Sequence, residues 1–346
     1  MYHGLLKYWR DKVVKLAITG TGQIVQTVLP YLKTWGWEPA ALCATGRSAG
    51  KAQELAKAHD CPAVYTDFAA MLLEVKADAV YLGVPNHLHA SMAKQALLAG
   101  WNVIIEKPLT STLREAEELA ELVRKQRLFL YEAITTIYQP NYAALKAQLY
   151  RIGTVKLVSC NFSQYSSRYD AFRRGEIHPA FDLEKSGGAL MDLNLYNLHW
   201  MLGLFGTPEQ VEYYANMERG IDTSGVLLLQ YPDFQAVSLA AKDCVAPSCY
   251  IIQGTEGYLL QNTSANQCGE VTLHLNDGSV ETFHTPTQHR MEMEFRTFAQ
   301  QIQTGDLAAC YTVMEHSLNV VRAQTQARQF AGIHFPADQN EITGGK

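Results

Sequence analysis

The chain has 346 residues, 47% of them hydrophobic and 18% charged, with a formal net charge of −5. That is long enough for two domains, because single cores rarely grow past roughly 250–300 residues, and too apolar for a disordered chain. The 29 basic residues against 34 acidic ones form no Lys/Arg block, which argues against a nucleic-acid partner, and no run of about 18 apolar residues argues for a membrane span.

Residues 1–12, MYHGLLKYWRDK, are too polar for a secretory signal core and read as an extension ahead of the first strand. A β-branched apolar run over 13–19 predicts that strand. Gly20-Thr21-Gly22-Gln23-Ile24-Val25 follows and opens a helix expected over 23–35. A glycine turn between strand and helix lets backbone approach a pyrophosphate and aims helix N–H groups at its charge. Val25 stands where a third glycine would ease helix–strand packing, and a plain βα turn is the alternative reading of the hexapeptide. The next strand, expected over 39–44, runs into Thr45-Gly46-Arg47-Ser48. An NAD-selective site usually carries an acid about 20 residues past the glycine turn. Here Arg47, with Thr45 and Ser48, suits a 2′-phosphate, so the pattern favours NADP(H), with NAD(H) as the alternative.

Helical stretches over 49–59 and 68–74 flank a short extended piece at 63–65. The stretch from Ala79 to Pro108 then reads as a strand at 79–83, a Pro85-Asn86 turn, a helix at 91–98, a strand at 102–105 and Glu106-Lys107-Pro108. A lysine where a buried strand ends projects its head from the strand's carboxyl edge, and open α/β sheets bind ligands along that edge. A helix over 112–125, opened by Thr112 with Glu115 three residues on, and a strand over 128–132 complete the alternation. Strands separated by helices mean a parallel sheet.

Beyond about Tyr138 the pattern changes. After a helix at 140–150, extended segments fall near 154–162, 209–216, 224–230, 235–241, 250–253, 257–261, 271–275 and 279–284. Asn276-Asp277-Gly278 marks a hairpin. Helices at 290–304 and 312–330 close the chain. The fold class is therefore an α/β dinucleotide-binding domain with a parallel sheet, over 13–133. It is followed by an α+β domain with a large open, mostly antiparallel sheet, over 134–346. The seven cysteines are scattered and form no C-x-x-C pair. They predict reduced thiols in a cytoplasmic protein and no metal site.

Taken in order, Gly20-Thr21-Gly22, Pro85-Asn86-His87-Leu88-His89, Glu106-Lys107-Pro108, Glu132-Ala133, Ile152-Gly153 and Ser186-Gly187-Gly188-Ala189-Leu190-Met191-Asp192 resemble the Gfo/Idh/MocA oxidoreductases. The resemblance implies a Rossmann domain, an open-faced sheet domain used for homo-oligomerisation, a nicotinamide cofactor and a small-molecule substrate. It implies that Lys107 lies beside the nicotinamide and the reacting oxygen, and that Pro85, Asn86, His89 and Glu106 line the cofactor. Tyr196 occupies the place of the family's usual histidine, as in glucose–fructose oxidoreductase and the dimeric dihydrodiol dehydrogenases. Asn194 replaces a usual glycine, and Ile137 stands where the dihydrodiol group commonly has arginine.

Hydride transfer at a carbinol carbon leaves a proton to be moved to or from oxygen. A phenol serves when a nearby cation stabilises its phenolate, so with the family position Tyr196 and Lys107 are the candidate catalytic pair; core packing is the alternative role of Tyr196. Asp192, one helical turn before Tyr196, is expected to orient Lys107 or a substrate hydroxyl; capping of the helix is its alternative role. The polar, aromatic stretch over 163–170 offers Tyr165 and Arg168 as substrate ligands for hydroxyls or an acid group; a solvated loop or a subunit contact is the alternative reading. The competing class of function is a non-catalytic dinucleotide-binding sensor, which would need neither Lys107 nor Tyr196.

Overall fold

Six strands of the first third are paired side by side and all parallel in the computed structural model, which describes residues 13–343. They are β1 (Val14–Thr19), β2 (Trp37–Cys43), β3 (Val64–Tyr65), β4 (Ala79–Leu82), β5 (Asn102–Glu106) and β6 (Leu130–Ala133), in the order β3-β2-β1-β4-β5-β6. The central strands are buried along nearly their whole length, which is why they read as unbroken apolar runs. The connecting helices are α1 (Gln23–Val28), α2 (Ala49–Ala58), α3 (Phe68–Glu74), α4 (His89–Leu98) and α5 (Leu113–Gln126). Strand order reverses between β1 and β4, which opens a crevice at their carboxyl ends.

Local chemistry sets the element limits. Helix α5 starts on a capping box in which Thr112 Oγ1 accepts from Glu115 N at 3.3 Å and Glu115 Oε2 accepts from Thr112 N at 3.0 Å. The helix expected over 23–35 stops at Val28, because Pro30 brings no N–H and tightens the chain into a 3₁₀ run, Leu29–Trp35. That run ends on Gly36 in the left-handed region at φ 94°.

After α6 (Pro140–Gln148) the second sheet begins with β7 (Val155–Ser163). Two helices, α7 (Tyr169–Arg173) and α8 (Leu195–Phe205), precede β8 (Gln210–Glu218), β9 (Ile221–Gln230), β10 (Gln235–Ala241), β11 (Cys249–Gly254), β12 (Gly257–Gln261), β13 (Val271–Leu275) and β14 (Val280–Phe283). Their order is β14-β13-β12-β11-β7-β10-β9-β8. Every pair is antiparallel except β7 with β10, which run parallel. One face is sealed by a core in which Leu195, Leu198 and Trp200 of α8 and Tyr142 of α6 meet Val158, Leu227 and Tyr250 of the strands. The other face leaves Leu157, Leu228, Leu239 and Tyr258 exposed.

The chain then returns to the first sheet through α9 (Glu292–Thr304), α10 (Leu307–Phe330) and α11 (Pro336–Thr343). Phe295 and Phe298 of α9 join Trp35, Trp37, Tyr81 and Tyr131 in one core, and Trp37 Nε1 donates to the Phe295 carbonyl at 2.9 Å. Helix α10 begins five residues earlier than the hydrophobic pattern suggests, because the Asp306 carboxylate caps Ala309 N at 3.0 Å.

Candidate functional site

At the end of β1, Gly20 has φ 91°, and a Cβ there would lie 2.2 Å from the Gly83 carbonyl oxygen. Only glycine fits both the conformation and the space. A Cβ at Gly22, by contrast, would meet nothing within 4 Å; this second glycine is exposed and faces open space rather than protein. Val25 is fully buried, and a Cβ on Gly83 would fall 2.5 Å from its Cγ2. The room that a third glycine would leave on the helix is thus supplied by Gly83 on the strand side. Gln23, Ile24 and Thr27 of α1 line the cleft beside this turn. Thr21 is half-buried at the turn, and its carbonyl accepts from Gln26 Nε2 at 2.9 Å.

Gly20 N donates to the Cys43 carbonyl at 2.8 Å, so the exit of β2 runs alongside the glycine turn. Thr45 and Arg47 are exposed there and Ser48 is half-buried. Arg47 forms no ion pair among the described residues. An open glycine cradle with an exposed, unpaired guanidinium next to it fits a phosphorylated dinucleotide.

Lys107 follows β5 and points across the cleft. Its ammonium donates to Asp192 Oδ1 at 2.6 Å and to the Asp192 carbonyl at 3.1 Å, and lies 5.0 Å from the centre of the Tyr196 ring. The second carboxylate oxygen of Asp192 pairs with Lys242 Nζ at 2.9 Å. Burial alone would raise the Asp192 pKa, but Lys107 and Lys242 outweigh it and hold the carboxyl well below its usual range. Burial likewise opposes the Lys107 ammonium, and Asp192 and Tyr196 outweigh it upward. One carboxylate is therefore shared by two ammonium groups, which leaves one positive charge over. Removing the carboxylate from such a partly buried set would leave like charges facing each other, a loss of about 3–5 kcal/mol by analogy with broken buried pairs.

The turn carrying Asp192 differs from the regular helix expected from the sequence. Leu190–Asn194 forms a π-helical turn before α8, a feature that recurs at functional sites. Asn194 is fully buried and its Oδ1 accepts from Ser238 Oγ and Asn197 Nδ2. The capping role considered for Asp192 belongs to Asp222, whose Oδ2 accepts from Leu190 N at 2.7 Å and from the Tyr213 hydroxyl at 2.8 Å. Gly188, at φ 111°, makes room for it, since a Cβ would lie 2.0 Å from Asp222 Oδ1.

Tyr196, on α8, is 6% exposed, with its ring 5.9 Å from that of Phe162. Burial opposes the charge of Arg290, just ahead of α9 and on the same cleft, and nearby Tyr196 outweighs it upward. The Glu132 carboxylate of β6 and the His199 imidazole of α8, both fully buried, lie 3.3 Å apart and fix α8 against the first sheet. Glu132 Oε1 also accepts from Leu109 N at 2.9 Å, so one carboxylate anchors both the chain leaving Lys107 and the helix bearing Tyr196.

These groups meet in a cleft of about 570 Å³ between the two sheets. Of the residues singled out in the sequence, Gln23, Ile24, Asn86, Glu106, Lys107, Arg168, Asp192 and Tyr196 line it. Glu106 is buried beneath it, accepts from the Tyr81 hydroxyl, and has its pKa raised by burial. His89 does not line the cleft. It is fully buried, with Nδ1 2.8 Å from the Pro108 carbonyl and Nε2 2.9 Å from that of Val84. Its contacts tie the β4 exit to the Lys107 turn rather than reaching the cavity. Pro85 caps the short 3₁₀ turn Asn86–Leu88 outside the lining set. Tyr165 also falls outside, exposed, with its hydroxyl on Asp170 at 2.7 Å. Lys242, Arg290 and His178 line the cleft although the sequence pattern did not single them out. Lys242 carried a legible signal, since it follows an apolar strand as Lys107 does. Among the described residues no group of three His, Cys, Asp or Glu is placed to hold a metal, and no helix is long and apolar enough to cross a membrane.

Comparison with known proteins finds dehydrogenases among the relatives of this chain. Residues 14–133 match the model of the oxidoreductase family with NAD-binding Rossmann fold, and 147–260 match the GFO/IDH/MocA C-terminal domain. The chain is 34% identical over 331 residues to scyllo-inositol 2-dehydrogenase (NADP(+)) of Bacillus subtilis, covering 94% of this chain and all of the relative. It is 29% identical over 317 residues to D-xylose 1-dehydrogenase (NADP(+)) 2 of Haloferax volcanii, covering 88% and 93%. A 3-ketoreductase from Actinomadura kijaniata, solved with NADP and TDP-benzene, superposes with a TM-score of 0.81 at 23% identity, covering 92% and 98%; at that identity the likeness speaks for the fold.

Proposed function

Because the chain belongs to the Gfo/Idh/MocA oxidoreductase family, we propose that it is an NADP(H)-linked dehydrogenase or reductase acting on a secondary alcohol or carbonyl of a polyol or sugar, with NAD(H) as the weaker cofactor. The observation that carries this reading is the convergence of Lys107, Asp192 and Tyr196 on one cleft that the start of α1, just after the glycine turn, also lines. The relatives named for inositol and xylose are NADP-linked, which supports the choice made from Arg47.

In this reading Gly20, Thr21, Gly22, Gln23 and Ile24 hold the pyrophosphate, and Thr45, Arg47 and Ser48 the 2′-phosphate. Asn86 and Glu106 border the nicotinamide side. The bound nicotinamide supplies or accepts a hydride. As a carbonyl carbon is reduced, its oxygen gathers negative charge, and Tyr196 gives that oxygen its proton. Lys107 donates a hydrogen bond to the same oxygen and, with Arg290, balances the phenolate left behind. Asp192 cannot serve as the base while both its oxygens face lysines; it sets the direction of the Lys107 ammonium. The exposed apolar residues of the second sheet support a homo-oligomer joined through that face, and seven unpaired thiols support a reducing, cytoplasmic setting.

The test is a screen of polyols, inositols, sugars and their keto forms with NADP and NAD, followed by the absorbance of the reduced nicotinamide. Turnover of at least one such compound, faster with NADP, is expected. Cofactor binding without turnover of any of them would contradict the enzymatic reading.

A further inference from the structure

We propose that the substrate is a sugar or polyol bearing an anionic group, a carboxylate or a phosphate, seated on Arg168, His178 and Lys242 along the second sheet's edge of the cleft. This rests on the hydride-transfer reading and adds the substrate's charge to it.

The first observation is topological. β7 and β10 form the parallel pair of the second sheet, so both strands leave it at the same end. Their exits stay bonded: Gln164 N donates to the Ala241 carbonyl and Ser166 N to the Lys242 carbonyl, each at 2.9 Å. Arg168 is thereby brought next to Lys242, and its own N–H rests on Ser166 Oγ at 3.3 Å. The third member is held through Ala180, whose carbonyl accepts from Lys242 Nζ at 2.5 Å and whose N–H donates to His178 Nδ1 at 3.3 Å. Arg168, His178, Ala180 and Lys242 all line the cleft.

The second observation is charge. Lys107, Arg168, Lys185, Lys242 and Arg290 line the cleft against the carboxyl groups of Glu106 and Asp192. Asp192 is already divided between two lysines. Burial opposes the Arg290 charge, and Tyr196, Glu294 and Glu106 outweigh it upward. Arg168 and Lys185 form no ion pair among the described residues. Lys242 is 2% exposed, its ammonium 4.3 Å from the centre of the Phe181 ring. That ammonium is met by Asp192 and the Ala180 carbonyl and lies near the buried Asp222 carboxyl, so the cation left for an incoming anion to offset is Arg168. After burial itself, Arg168 and Lys242 press the His178 imidazole below its ordinary value, which marks the three as neighbours.

The dinucleotide's phosphates are the competing anion. They belong to the glycine turn on the opposite wall, and Lys185 lies on that side, next to the Ser186 carbonyl that takes Asn86 Nδ2 at 2.8 Å. We leave Lys185 to the cofactor. A neutral polyol would leave Arg168 unanswered.

The experiment is calorimetric titration of the NADP-loaded protein with D-glucuronate, D-galacturonate and D-glucose 6-phosphate, each beside its neutral parent sugar. At least one acid or phosphate is expected to bind about tenfold or more tightly than its parent; which one does separates a carboxylate from a phosphate. Arg168→Gln should erase most of that advantage and Arg168→Lys restore most of it, with NADPH affinity held within about twofold. Equal affinity of every anion and its parent would overturn the proposal, as would an Arg168→Gln variant that loses NADPH rather than the acid. A protein that binds the acid yet oxidises nothing keeps this subsite and loses the proposed reaction.

Discussion

The two walls of the cleft are held by different physics. On the wall of the first sheet, backbone geometry decides: Gly20 fits because its φ and the Gly83 carbonyl exclude a side chain, and Gly22 leaves open space above α1. On the wall of the second sheet, paired charge decides: Asp192 stands between Lys107 and Lys242, and Tyr196 between Lys107 and Arg290. A wall set by backbone tolerates change at its side chains and fails when a Cβ is added. A wall set by charge fails when one partner of a pair is removed. The first is suited to a ligand part that never varies, the second to one that gives a family member its own substrate.

The largest effect expected from this contrast is at Lys107. Lys107→Ala should lower kcat by about 10²–10⁴-fold, read by steady-state kinetics, while the Asp192–Lys242 pair keeps the fold in the melting curve. Lys242→Met should act mainly on substrate, raising KM by roughly tenfold or more; an unchanged KM would break the assignment of charge to that wall. On the other wall, Gly22→Ala should weaken NADPH binding by about tenfold with an unchanged melting temperature, whereas Gly20→Ala should lower the melting temperature by several degrees. Equal behaviour of the two variants would erase the distinction between open and filled glycine positions. Arg47→Ala should narrow the preference for NADP over NAD by about tenfold, measured as a ratio of kcat/KM values.

The smallest effect concerns pH and the link between the walls. Burial, with His199 3.0 Å away, drives the His316 imidazole down to about 3. Its folded pKa lies below the unfolded value of about 6.5, so its contribution to stability is complete above pH 6.5 and is lost as pH falls from there toward 3. Melting temperature should decline across that window in the parent protein, and His316→Asn should flatten the decline.

The first wall was legible in the sequence because its signals are local. Gly20-Thr21-Gly22, Thr112 with Glu115, and Lys107 at a strand end each announce their geometry within a few residues. The alternation of strands with helices similarly led to the parallel sheet, and the clustered strands to the second. The early stop of α1 ahead of Pro30 is local as well, but the apolar periodicity running on to Trp35 masks it. The second wall was half legible. Tyr196 and Asp192 were found through their resemblance to a family pattern, but the five-residue turn that carries Asp192 was not, because it depends on Asn194 bonding Ser238 across the core. Lys242 and Arg290 reach Asp192 and Tyr196 from 50 or more positions away. Lys242 carries the same strand-end signal as Lys107, but a mixed sheet does not mark one of its edges as the ligand edge. His89 shows the converse: a motif histidine whose two ring nitrogens are spent on the carbonyls of Val84 and Pro108.

Single-turnover reduction of a ketone by NADPH with Tyr196→Phe tests the proton transfer most directly, with NADPH affinity measured on the same preparation. The phenol that delivers the proton should be missed in the rate alone, which falls about 100-fold or more while affinity stays within roughly threefold. A rate close to that of the parent, or a deficit that disappears at saturating NADPH, would mean that Tyr196 is packing and that the proton travels by another group.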